Sequence, residues 1–86
     1  MYEELKGKKA LITGATKGIG RGIAEKFSSL GINSVLNYSN DDIAAIETEE
    51  IIKGYGIEYH FVKADVSDPD DIRRLFSFAS EKFGQL

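Results

Sequence analysis

Residues Ile12–Gly20 read ITGATKGIG, with Gly14, Gly18 and Gly20 spaced four and then two apart. Ahead of them Ala10, Leu11 and Ile12 form a short apolar run, which predicts a strand over Lys8–Thr13 buried on both faces. Behind them Ile19, Ile23, Phe27 and Leu30 recur at the helical period, and Gly31 suits a left-handed stop. The glycines therefore fall where a strand hands over to a helix. Such a junction presents unsatisfied N–H groups and a partial positive charge. An anionic phosphate reaches them only if side chains stay out of its way. Gly14 would make the tight turn, Gly18 would leave room for a diphosphate, and Gly20 would let the helix pack closely on the sheet. Thr16 and Lys17 would add a hydroxyl and a cation. The G-K-[ST] ending of a nucleoside-triphosphatase loop is absent.

Outward from this loop, strand-like and helix-like patterns alternate without a linker or repeat. Ile32–Tyr38 reads as a second strand around Val35 and Leu36. A second helix should open at Asn40 or Asp41 and stop at Lys53–Gly56, with Ala44, Thr48, Ile51 and Ile52 on one face and Ile43 and Ile46 partly off it. Ile57–Asp65 suits a third strand. A third helix starts from a capping Asp68, with Pro69 in its first position and Asp70 and Asp71 complementing the dipole. Its expected buried stripe is Ile72, Leu75, Phe76, Ala79 and Phe83, ended by Gly84. The order β-α-β-α-β-α calls for an α/β fold with a parallel sheet and right-handed crossovers.

The whole sequence of 86 residues fits one small domain, with 42% apolar and 29% charged residues, as in ordinary globular proteins. A net charge of −3 without a basic cluster argues against a nucleic-acid partner. There is no cysteine and only one histidine, His60, so neither a thiolate nucleophile nor a multi-histidine metal site is expected. No apolar stretch suggests a membrane span or signal peptide, and a cytoplasmic location is the expectation.

Thr13–Gly20, TGATKGIG, closely resembles the cofactor loop of short-chain dehydrogenases/reductases. The likeness extends to LKGKKALITGATKGIGRGIA (Leu5–Ala24), to ADVSD (Ala64–Asp68) and to FGQL (Phe83–Leu86). It implies the N-terminal half of a Rossmann-type doubly wound sheet, with strand order 3-2-1, helices one and two on one face and helix three on the other. The resemblance also implies a dinucleotide site: Gly14, Thr16, Lys17, Gly18, Ile19 and Gly20 around the diphosphate, and Asp65 and Val66 at the adenine. Asp65 read from spacing alone is a strand-end turn residue. Flavin or S-adenosylmethionine binding would fit the glycines but not their combination with Ala64–Val66.

Tyr38, Ser39 and Asn40 stand where a member preferring NAD would carry an acid. Together with Lys17 this favours NADP over NAD, and Asn37–Ser39 resembles the 3-oxoacyl-[acyl-carrier-protein] reductases of fatty-acid synthesis. Asp41 is the contrary signal, since a small loop shift could bring it to the ribose.

The resemblance places the family's catalytic serine, asparagine, tyrosine and lysine beyond these residues, so no catalytic residue is assigned here. Tyr59 and Lys63 match Y-x-x-x-K formally. That pair works on a helix, where four residues rise about 6 Å; along a strand they span about 13 Å. The chain reads as the cofactor-binding part of a carbonyl reductase that would not bind substrate by itself. A stand-alone nucleotide-binding or interaction module is the alternative. Lacking a fourth strand, Lys8–Thr13 would be an open apolar edge inviting self-association.

Overall fold

The structure, a computed structural model, describes residues 6–84. Leu5, Gln85 and Leu86, which entered the resemblance above, lie outside the described residues. The elements are β1 (Lys9–Ile12), α1 (Gly18–Ser29), β2 (Asn33–Tyr38), α2 (Asp42–Ile52), a 3-10 turn at Lys53–Tyr55, β3 (Tyr59–Lys63) and α3 (Pro69–Phe83). Among the described residues one parallel sheet forms in the order β1-β2-β3. Ile12 pairs with Leu36, and Leu36 with Phe61. This is the expected N-terminal half of a doubly wound sheet.

Its central strand carries the core on both faces. Val35 joins Val62, Ala64, Leu75, Ala79 and Phe83 beneath α3. Leu36 points the other way and joins Ile12, Ala15, Ala24 and Ile52 beneath α1 and α2. Successive strand residues face opposite sides, so SVLN can serve two layers at once. Helices one and two share one face and helix three takes the other, as expected.

Several boundaries and faces differ from the sequence reading. β1 is shorter than Lys8–Thr13 and is not buried on both faces. Only Ile12 is buried, while Ala10 and Leu11 are half-buried because β1 is an edge of the sheet. β3 excludes Ile57, Glu58, Ala64 and Asp65. In α1 the buried residues are Ala24 and Ser28, whereas Ile19 is 84% and Ile23 39% exposed. The rotation of α1 is set by Gly20, where a Cβ would stand 1.9 Å from the Gly14 carbonyl oxygen. This contact is with the turn, not with the sheet itself. In α3 Phe76 is exposed and Phe78 packs on the core instead, since Phe78 lies one turn from Leu75 and Phe76 about 100° round. α2 behaves as read, with Ala44, Thr48 and Ile52 buried and Ile43 and Ile46 exposed.

Candidate functional site

The carboxyl ends of β1 and β2 open onto a cleft of about 100 Å³ lined by Gly14, Thr16, Lys17, Tyr38, Ser39, Asn40 and Asp41. Six of the eleven residues singled out from sequence thus meet around one space. Gly14 and Gly18 adopt φ of 58° and 53°, a left-handed conformation costly to any residue with a Cβ. A Cβ at either would meet nothing within 4 Å, so the side of the loop they face is open. Gly20 is the opposite case, packed against Gly14.

The amino end of α1 is chemically exposed. Its first intrahelical bond runs from Arg21 N to Lys17 O, leaving the N–H groups of Gly18, Ile19 and Gly20 without an intrahelical acceptor. Lys17, in the N-cap position, makes no side-chain cap, and the first turn holds no acid. Ile19 projects into solvent beside these donors. Gly18, Ile19 and Gly20 do not line the cleft itself; they flank it.

Lys17 does not stand free. Its Nζ lies 2.9 Å from Asp41 Oδ2. The other oxygen, Asp41 Oδ1, accepts from Ala44 N at 2.9 Å and caps α2. The Ala44 N–H and the Lys17 ammonium hold the Asp41 carboxyl below the usual carboxylate range. Thr16 is buried; its carbonyl accepts from Thr48 Oγ1, and Arg21 donates to that same hydroxyl and to Ala44 O. These bonds fix the start of α2 against α1. Burial raises the Tyr38 phenol above its ordinary value, and neighbouring Asp42 adds to the effect.

Asp65 and Val66 follow β3, outside the cleft lining. Asp65 Oδ1 accepts from both the backbone N–H and the hydroxyl of Ser67, which depresses its pKa. These are the bonds of a turn residue, and Val66 is half-exposed beside it.

One residue that carries this geometry entered the sequence reading only as part of the Asn37–Ser39 resemblance, not as a structural anchor. Asn37 is buried; its Oδ1 accepts from Gly14 N at 3.3 Å, its Nδ2 donates to Ala64 O at 3.0 Å, and its carbonyl accepts from Ala15 N. One carboxamide thus ties the glycine turn to the residue preceding Asp65. The signal was a polar amide ending the buried run Ser34–Leu36. Buried amides are kept where several backbone groups need partners at once.

Tyr59 and Lys63 lie in β3, and their side chains have other partners. Tyr59 donates to Glu49 Oε2 at 2.9 Å, and Lys63 pairs with Asp42. A larger hollow, about 540 Å³, lies at the opposite end of the strands near Gly7, Gly31, Asn33 and Gly56. It sits at the amino ends of the strands, whereas ligands of doubly wound sheets dock beyond the carboxyl ends. No group of His, Cys, Asp or Glu among the described residues is arranged to hold a metal ion. No helix among them is long and apolar enough to cross a membrane.

The residues present fit a dinucleotide's diphosphate. Open space lies over two left-handed glycines, unspent N–H groups follow, and the first turn of α1 carries no acid.

Comparison with known proteins agrees. The family model for short chain dehydrogenase matches residues 8–86. Glucose 1-dehydrogenase 2 of Bacillus subtilis is 48% identical over the entire chain, which covers 33% of that protein. L-rhamnose 1-dehydrogenase (NADP(+)) of Thermoplasma acidophilum is 41% identical, with 96% of this chain and 33% of that protein covered. Among solved structures, a short chain dehydrogenase/reductase from Burkholderia phymatum in complex with NAD superposes with a TM-score of 0.86 at 40% identity. That match covers 96% of this chain and 29% of the other. The chain spans about a third of the length of the curated relatives it matches.

Proposed function

The chain belongs to the short-chain dehydrogenase family, and from that premise we propose that it holds a nicotinamide dinucleotide, NADP in preference to NAD, for a carbonyl-reducing oxidoreductase. The observation that carries the reading is the α1 amino end, uncapped and free of acid, reached over Gly14 and Gly18. Thr16, Lys17, Ile19 and Gly20 complete the diphosphate cradle. Tyr38, Ser39 and Asn40 would meet the adenosine ribose and its 2′-phosphate, and Asp65 and Val66 the adenine. When bound, the cofactor supplies or accepts hydride. This chain's residues orient it and neutralise its charge.

The preference for NADP is supported by the lack of an acid at positions 38–40 and by Lys17 beside them. Asp41, the contrary signal, is engaged through both oxygens. For substrate, Asn37–Ser39 suggests a 3-oxoacyl thioester, while the names of the sugar dehydrogenases at 48% and 41% identity favour an aldose. The chain's open β1 edge supports self-association of the isolated chain.

Calorimetric titration of the chain with NADP and NAD, with sedimentation at rising concentration, tests this. NADP should bind more tightly, weakly in absolute terms, and the sedimenting species should grow. Tighter NAD binding would overturn the cofactor assignment, and a concentration-independent monomer the association.

A further inference from the structure

Strand pairing stops short of the glycine turn and of the Ala64–Val66 turn. β1 leaves the ladder at Ile12 opposite Leu36, and β3 at Lys63 opposite Tyr38. Past those points the two turns continue from strands that have β2 between them. Asn37 bonds to both. Its backbone carbonyl accepts from Ala15 N at 2.9 Å and its Oδ1 from Gly14 N at 3.3 Å. Its Nδ2 donates to Ala64 O at 3.0 Å, with Val62 O and Tyr38 O each 3.4 Å away. Three carbonyls at one end and an N–H at the other allow the carboxamide a single orientation. The residue is 2% exposed. Packing there would be served by leucine, which has the same branching, but leucine would leave the Gly14 N–H and the Ala64 carbonyl without these partners.

We propose that Asn37 is a positioning residue whose carboxamide fixes the separation between a diphosphate subsite at the glycine turn and an adenine subsite at Asp65 and Val66. The inference rests on the dinucleotide reading above. Gly14, with a φ of 58° and no Cβ, has backbone freedom that a neighbouring group must restrain. A ligand spanning two subsites gains from the second only where their spacing already matches its own. Adenosine and inorganic pyrophosphate each occupy one subsite and do not feel that spacing. The carboxamide is neutral and its polar atoms are engaged by backbone groups, so it serves NAD and NADP alike.

Two substitutions test this. Asn37→Leu removes both side-chain bonds, and Asn37→Ser leaves a hydroxyl too short to reach Gly14 and Ala64 together. Each chain, shown by urea unfolding to be folded, is titrated with NADP, NAD, adenosine and pyrophosphate, followed through amide resonances. Affinity for both dinucleotides should fall about tenfold, the scale of one lost hydrogen bond. Affinities for adenosine and pyrophosphate should stay within about twofold. In the unsubstituted chain the Gly14 N–H should exchange with solvent more slowly than the Gly18 N–H, which lacks an intrahelical acceptor. Equal losses for all four probes would mean general damage and overturn the positioning role, as would unchanged dinucleotide affinities or a loss confined to one dinucleotide. A Gly14 N–H exchanging as fast as that of Gly18 overturns it whether or not a variant folds. If the unsubstituted chain binds neither dinucleotide, the dinucleotide reading itself fails.

Discussion

The amino end of α3 spends its own side chains on itself, and the amino end of α1 does not. At α3, Asp68 accepts from Asp70 N, Pro69 takes the first position, and Asp70 and Asp71 face the positive pole. At α1 there is a cation at the N-cap, two residues without a Cβ among the first three, and no acid. Both are equally regular helices afterwards. A chain that knows how to close a helix, and does so at α2 and α3 with an aspartate each time, leaves α1 open at the carboxyl ends of the strands. The contrast separates a terminus that serves stability from one that serves a ligand.

The largest effect should come from the residue that anchors the open end. Gly20→Ala would drive a Cβ to 1.9 Å from the Gly14 carbonyl, backbone against backbone, with no flexible atom to yield. A loss of about 3 kcal/mol in urea unfolding is expected, at the upper end of overpacking costs. Unchanged stability would mean that α1 does not rest on the turn.

The next pair of variants separates the two helix ends directly. Gly18→Ala meets no atom but keeps a φ of 53°, so stability should fall by only about 1 kcal/mol. Dinucleotide affinity should drop on the order of tenfold as the first-turn donors are re-aimed. Asp68→Ala removes the cap of α3 and should cost about 1 kcal/mol of stability without altering affinity. If the two variants lose affinity equally, the distinction between the ends collapses.

Much of this was legible because it follows from local chemistry. Glycine spacing, the Asp68–Pro69 start and the strand centred on Val35 and Leu36 each report a constraint felt within a few residues. What escaped depends on partners far along the chain. Ile19 and Phe76 fit helical stripes, yet rotation of a helix about its axis is set by where it touches its neighbours, here Gly20 on Gly14 for α1. The tying role of Asn37 is not visible locally because its partners, Gly14 and Ala64, lie 23 and 27 positions away. Asp41 was read as a helix opener, and its pairing with Lys17 across 24 residues of chain belongs to tertiary structure alone.

The smallest effect bears on Tyr59 and Lys63, whose spacing imitates a catalytic pair. A lysine beside a reactive tyrosine lowers its pKa. Here the hydrogen bond to the Glu49 carboxylate, with burial and the carboxylate's charge behind it, raises the Tyr59 phenol above its ordinary value. The raised folded-state value means that the neutral phenol contributes stability in full below the unfolded tyrosine value. That contribution is lost as pH climbs through the raised one. The ring-carbon resonance of Tyr59 should accordingly titrate above that of a free tyrosine, and Tyr59→Phe should remove this contribution at neutral pH and, with it, its loss on the alkaline side. Lys63→Met should leave the titration nearly unmoved, because the ammonium faces Asp42 and the two residues stand about 13 Å apart along the strand. A phenol that titrates low, and rises when Lys63 is lost, would show the two side chains working as a pair after all. It would also erase the division between a ligand-facing α1 end and a β3 that serves only the sheet.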